Sequence, residues 1–360
     1  MAGVSPQPRG PIRVPLDRRG VAWGLLAVAG VLLLTYFGSD RLLWFDAALA
    51  GYLVGVVFFV FAVVYRYVVW VRRPPTRMLN RRGWETFRGR TLSNLVRLPV
   101  LVVSKLLAQV FIWRRSRSRW MAHQLVFWGC VLAAVVTFPL TLGLLHFQSV
   151  GQQAERWQVF TVRIGTAQFD IGSIWSWLVF NALNISAVLV LAGVFIFLHR
   201  RLRDPGVLAV ERSSDFLVLA GLFAVSITGL SLTVSSHYLE GQFYAALNTV
   251  HALTVILGLM YIPFSKLFHI FQRPGNLGVE YYKRANAEGE PARCGRCGEE
   301  YAALRHVEDL ETVLDELGFD YRFDGGARPP VASDNYQNTC PRCRRVQVTL
   351  AQSARVGGFG

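Results

Sequence analysis

Residues 251–269 read HALTVILGLMYIPFSKLFH, an apolar run with a histidine at each end, and Gln272-Arg273-Pro274 closes it in polar and basic residues. On a continuous α-helix the two histidines would stand about 27 Å and five whole turns apart, so both imidazoles would share one face. That length matches the hydrocarbon layer of a bilayer, roughly 30 Å thick. The run is therefore expected to cross a membrane with one imidazole near each surface. A polar side chain in that setting requires a partner.

The pattern repeats along the chain. With 360 residues, 52% of them hydrophobic, and a mean hydropathy of +0.34, the composition is that of a membrane protein. Runs of spanning length lie at Val21 to Phe37, Asp46 to Val71, Met121 to His146, Ile174 to His199, Asp215 to about Ser236, and about Phe243 to Phe271. The expected fold is an all-α polytopic membrane protein with six transmembrane helices, and the lipid bilayer is its first partner. A formal charge of +15 invites nucleic acid as another. The arginines instead cluster at the ends of apolar runs, as in Arg72-Arg73 and Arg200-Arg201, which is the positive-inside pattern and argues against nucleic acid. Both termini are then cytoplasmic.

Five segments follow from the composition: a basic, disordered N-terminus at 1–20, two transmembrane helices in 21–71, a basic cytoplasmic segment at 72–120, a four-helix membrane domain at 121–274 and a cytoplasmic module at 275–360. The first run could be a signal peptide, but Asp40 and Arg41 stand before any small-residue cleavage site, which favours an uncleaved helix. In 72–120 the stretch Leu92 to Trp113 carries Arg97, Pro99 and Lys105 and has basic flanks on both sides, so an interfacial amphipathic helix fits better than a crossing. Gln148 to Gly172 reads as a connecting loop.

Four of the seven histidines fall where antiparallel helices would bring them together. His123 and His269 belong to the cytoplasmic end. His146 and His251 belong to the outer half, with His237 as the competing partner of His251. Two neutral imidazoles from facing helices are the ligand set of a low-spin, electron-transferring haem. The expectation is two haem b groups in a helical bundle, with His123 and His269 on the inner one and His146 and His251 on the outer. Gly129, Gly143 and Gly258 would let a flat macrocycle approach the backbone. Arg97, Arg119 and Lys266 are candidate partners for haem propionates.

These residues carry a resemblance. The run from His251 to His269, with Pro263-Phe264-Ser265-Lys266-Leu267 before its second histidine, resembles the last helix of the cytochrome b (gamma) subunit of respiratory nitrate reductases. His123-Gln-Leu-Val-Phe-Trp-Gly129 resembles the start of that family's other haem-bearing helix, a likeness that covers about Trp120 to Pro274. The whole chain also resembles an actinobacterial branch of the superfamily that carries a zinc-ribbon-like tail. The resemblance implies a bacterial cytoplasmic membrane, two stacked haems, a membrane quinone site, a cytoplasmic iron-sulfur subunit and a catalytic subunit, which could carry molybdenum. By position it matches His123, His251 and His269 to ligands. The expected fourth position, ten residues after His123, is Ala133, so His146 rests on the pairing argument alone.

Cys294-Gly-Arg-Cys297 and Cys340-Pro-Arg-Cys343 form two CxxC knuckles in the polar tail, while Cys130 is alone in an apolar run. Four thiolates on two tight turns suit one tetrahedral ion, and a module this poor in apolar residues needs such a staple. Zinc is the expected metal, with rubredoxin-like iron or an iron-sulfur cluster as the alternative. The module should be zinc-ribbon-like, with a helix over His306 to Leu317, a strand over Val346 to Leu350, and a frayed end from Ala351. There is no Walker loop, dinucleotide fingerprint or hydrolytic triad, so final-substrate catalysis is expected in another subunit. A transporter would show carboxylates or broken helices at mid-span. The remaining alternative is a haem-free anchor or receptor whose working part is the cysteine module.

Overall fold

A computed structural model describes residues 16–151, 153–203, 213–319 and 335–356. Most of the N-terminal stretch expected to be disordered, and the end of the tail from Gly357, lie outside the described residues. The chain divides into two compact units, residues 1–69 with 110–271 and residues 70–109 with 272–360. The first is built of apolar helices. Among the described residues six helices are long and apolar enough to cross a membrane: Arg18–Gly38, Ala47–Val71, Arg117–Thr141, Ala182–Arg203, Phe216–Tyr238 and Tyr244–Phe264. They suggest a multi-pass membrane protein.

In the first unit, α1 (Arg18–Gly38) begins where the Asp17 carboxylate accepts the Gly20 N–H at 2.9 Å. α2 (Ala50–Val71) follows a short 3-10 turn that is capped by Asp46. Numbering α3 to α5 below, α6 (Arg117–Thr141) packs along α8 (Ala182–Arg203), which α7 (Ile174–Phe180) precedes across a break at Asn181. Small residues make the α6–α8 approach close. A Cβ on Gly129 would stand 3.0 Å from the Ser186 carbonyl, and one on Gly193 2.8 Å from the Ala122 carbonyl. The buried Ser186 hydroxyl donates to the Gly129 carbonyl at 2.8 Å across the same seam. Gly129 thus serves helix packing, not the approach of a macrocycle.

The run expected to be helical through His146 ends earlier. α6 stops at Thr141, two residues after Pro139, and Gly143 turns the chain at φ +66°. His146 then lies in β1 (Leu145–Val150), which pairs antiparallel with β2 (Arg156–Thr161), and β2 pairs antiparallel with β3 (Ile164–Asp170). The expected loop is largely this meander.

α9 (Ser213–Tyr238) and α10 (Tyr244–Tyr261) complete the unit. The last apolar run is not one continuous helix. α10 gives way to a 3-10 turn at Ile262–Phe264, extended backbone at Ser265 (φ −88°, ψ 178°), a second 3-10 turn at Lys266–Phe268 and the short α11 (His269–Gln272). Pro263 has no N–H to continue the ladder, and the Ser265 side chain recaps the chain by accepting the Leu267 N–H at 3.1 Å. The five-turn phase relation between His251 and His269 therefore does not hold.

The second unit joins two distant pieces of sequence. α3 (Pro74–Gly89) crosses α12 (Gly275–Ala287) at Gly83, where a Cβ would stand 2.9 Å from the Gly278 Cα. α4 (Thr91–Leu101) continues into a π-helical turn at Val102–Leu107, and α5 (Val110–Trp113) follows in the first unit. Asn94 is buried, its carbonyl accepting from the Tyr281 hydroxyl at 3.0 Å, while Leu92, Val96, Val100 and Val103 are exposed on the other face. The hairpin of β4 (Pro291–Arg293) and β5 (Glu300–Ala303) leads into α13 (Leu304–Glu316), and α14 (Pro341–Val356) ends the described chain. Val346 to Leu350, read as a strand, is helical. Proline at the first turn starts α14 rather than interrupting it.

Candidate functional site

The cysteine centre is the most completely assembled site. Cys294 and Cys297 sit on the tight connection between β4 and β5, where Gly298 takes φ +73° and returns its N–H to the Cys294 carbonyl at 2.8 Å. Cys340 immediately precedes α14 and Cys343 lies in its first turn. The four sulfurs all lie within 4.8 Å of one another, and Cys297 Sγ is 3.8 Å from Cys340 Sγ. An ion with metal–sulfur bonds of about 2.3 Å in a tetrahedron places its sulfurs roughly 3.8 Å apart. The group could therefore bind a metal such as zinc. A polynuclear cluster would interpose several atoms and hold the thiolates further apart, so the spacing fits a single ion.

The electrostatics suit a cation. Burial alone would push the Cys294 thiol up, but N–H groups of Cys340, Cys297 and Arg296 directed at it outweigh burial and bring it down to about 6. The Cys340 N–H reaches Cys294 Sγ at 3.2 Å. Cys343, buried and crowded by the other thiols, is pushed up to about 12. Four sulfurs this close cannot all ionise without a positive charge between them. Arg344 steadies the second knuckle: its guanidinium donates to the carbonyls of Thr339 and Gln337 at 2.8 Å each and lies over Tyr301 and Tyr336.

Of the histidines, the structure brings His123 and His269 together. Their ring centroids are 6.5 Å apart with planes at 73°. A single ion bonded by two opposed imidazoles at about 2.0–2.1 Å each sets the centroids roughly 6 Å apart, so the separation of the two rings matches that of such a pair. His269 Nδ1 lies 2.7 Å from the Lys266 carbonyl. A carbonyl only accepts, so Nδ1 carries a proton, and in the neutral ring Nε2 is then the nitrogen that can ligate.

The outer pair is held differently. His251 Nδ1 meets the Thr228 hydroxyl at 2.9 Å, and that hydroxyl donates onward to the Ala224 carbonyl at 2.7 Å, which again makes Nδ1 the donor. Gly258, two turns along α10 on the same face, has open space where a Cβ would stand. His146 is stacked between Trp44 at 4.3 Å and Phe160 at 4.9 Å, and its Nε2 is buried with no hydrogen-bond partner. Burial there pushes its pKa down and favours the neutral, ligating form. The ring contacts of His146 are thus aromatic, whereas His251 contacts Thr228, so each of the two has its own partners. The rival His237 is exposed and bonded within its own helix turn, to the Ser236 hydroxyl at 2.9 Å.

Two contributors escaped the sequence reading. Trp44 lies in a short linker with no motif around it. Arg66, inside an apolar span, donates to the Pro263 carbonyl and stacks on Phe268 at 4.3 Å. An arginine in the body of an apolar run was the available signal. No family model, curated protein or solved structure matches this chain.

Proposed function

We propose that the chain is a cytochrome b-type membrane subunit of a bacterial respiratory oxidoreductase, in the cytoplasmic membrane with both termini on the cytoplasmic side. The observation that carries this reading is the His123–His269 pair: two imidazoles at ligating separation, one with its tautomer fixed for a ligand at Nε2. His123 and His269 would hold an inner haem b, and His251 with His146 an outer one. The buried, unpartnered His146 Nε2 and the oriented His251 ring support the second. Haem, when bound, supplies one-electron redox chemistry. The protein's own part is to orient one ligand imidazole at each haem, His269 through the Lys266 carbonyl and His251 through the Thr228 hydroxyl.

The likeness of 251–269 to the nitrate reductase gamma-subunit helix supports a membrane quinone as one electron partner. It supports a cytoplasmic iron-sulfur and catalytic assembly, carrying molybdenum in that family, as the other. We assign zinc to the four-cysteine centre, where it closes a module poor in apolar residues and presents it to that assembly. The test is a reduced-minus-oxidised spectrum with haem and metal quantified per chain. Two b-type haems and one zinc are expected, and His146→Ala should lose one haem while His237→Ala keeps both. A chain with no b-type band sinks the cytochrome reading and leaves a haem-free anchor bearing the cysteine module, a reading favoured by the completeness of that centre. Iron with zinc absent sinks the zinc assignment.

A further inference from the structure

The break at Pro263 creates a problem that one side chain from another helix solves. In an unbroken helix the Pro263 carbonyl would accept the Leu267 N–H. Here that N–H is bound to the Ser265 hydroxyl, and the Ser265 and Phe268 N–H groups turn to Tyr261, Ile262 and Ser265. The Pro263 carbonyl is thereby released inside an apolar bundle, at a residue less than 2% exposed, where an unsatisfied backbone acceptor costs several kcal/mol. Arg66 of α2 supplies the donor. Its guanidinium also lies over the ring of Phe268, which is 2% exposed and directly precedes His269. Phe59, two turns back on the same helix, packs on Phe271 at 5.9 Å. Arg66 and Phe59 thus hold the broken segment on both sides of His269.

We infer that Arg66 is a positioning residue for the His269 imidazole, acting through the Pro263 carbonyl and the Phe268 ring; this rests on the reading of His269 as a haem ligand. An arginine costs energy in a membrane-spanning helix and persists where it has a specific task. The planar guanidinium suits this one, because it bonds a carbonyl in its plane and stacks on a ring with its face. Lysine would keep the charge and could keep one bond, but not the stacking. Glutamine would lose the charge and shorten the reach.

The test uses the full chain in lipid nanodiscs as wild type, Arg66→Gln, Arg66→Lys and Val63→Ala, the last truncating a side chain of α2 that is 8% exposed. Two readouts are taken: amide hydrogen exchange over residues 264–272, and the low-spin haem signal with its midpoint potential. Arg66→Gln is expected to speed exchange in that segment at least tenfold and to shift or split the signal of the inner haem. Arg66→Lys should fall between it and wild type, and Val63→Ala should leave both readouts unchanged. The inference is overturned if Arg66→Gln matches wild type in both, or if Val63→Ala changes them equally. Should Arg66→Gln not accumulate, wild-type values in Arg66→Lys overturn it. A wild-type chain without haem overturns the cytochrome reading instead, and the exchange data then still decide whether Arg66 holds the break.

Discussion

Asp309 shows how much one buried carboxylate can organise. Its side chain is 4% exposed, accepts three bonds from Arg82 at 2.7, 2.9 and 3.1 Å, and accepts the Tyr282 hydroxyl at 2.8 Å. Asp309→Ala leaves a guanidinium and a phenol without their shared acceptor and should destabilise the second unit by about 3 kcal/mol, the low end for breaking a buried pair because Arg82 is partly exposed. Protease resistance of the tail in the full-length protein is the measurement, and a wild-type digestion pattern would contradict it. Glu288 makes the pH argument. Arg284 and Arg90 hold its carboxyl below the ordinary range. A depressed folded pKa gives stability that is complete above the unfolded value of about 4.3 and lost as pH falls through the folded one. Glu288→Gln should therefore lower the tail's stability at neutral pH, leave it unchanged once pH is below the folded pKa, and so flatten the acid limb, as followed by thermal melts across pH. At this scale the cysteines were fully legible, because CxxC spacing is itself geometry. Arg66 was not, since nothing local to α2 announces an orphaned carbonyl 197 residues away.

Among the elements, the α6–α8 seam is the one where a methyl group decides. A branched side chain at position 129 meets Val190 and the Ser186 carbonyl, a backbone atom that cannot step aside. Gly129→Val should cost about 1–3 kcal/mol and lower the detergent melting temperature, whereas Gly258→Ala, with open space around it, should not. Equal melting of the two variants would refute the seam. The spans were readable because a run of twenty apolar residues has few other uses. Their ends were not. His146 looked like the last residue of a helix because Leu142, Leu144 and Leu145 prolong the apolar run past Pro139 and Gly143, and hydropathy alone does not register a turn. The meander after it was hidden for a related reason. Its pairing, His146 opposite Phe160 and Gln158 opposite Gln168, is a property of three segments together and of none alone. Likewise Pro263 sits in an unbroken apolar stretch, and only the extended backbone at Ser265 reveals two short turns where one helix was expected.

For the molecule as a whole, the least legible feature was the pairing of 70–109 with the tail. The basic segment read as a cytoplasmic stretch with an interfacial helix, yet Arg77, Arg82, Arg90 and Lys105 meet Glu316, Asp309, Glu288 and Glu280. Charge at the end of a span satisfies the positive-inside pattern whether or not it also finds an acidic partner, so composition could not separate the two uses. The Gly83–Gly278 crossing that starts this unit has a consequence for biogenesis. Synthesis at about 5–20 residues per second puts roughly ten to thirty seconds between the appearance of α3 and that of α12, during which residues 110–271 must be made. Throughout that interval α3 lacks its partner helix, and the glycine face around Gly83 stays uncovered. Its partner helix is made only after residue 274, so a chain that stalls before that point keeps the face uncovered. Docking of α12 on α3 thus closes, through two glycines, a face that no earlier segment of the chain covers in this unit.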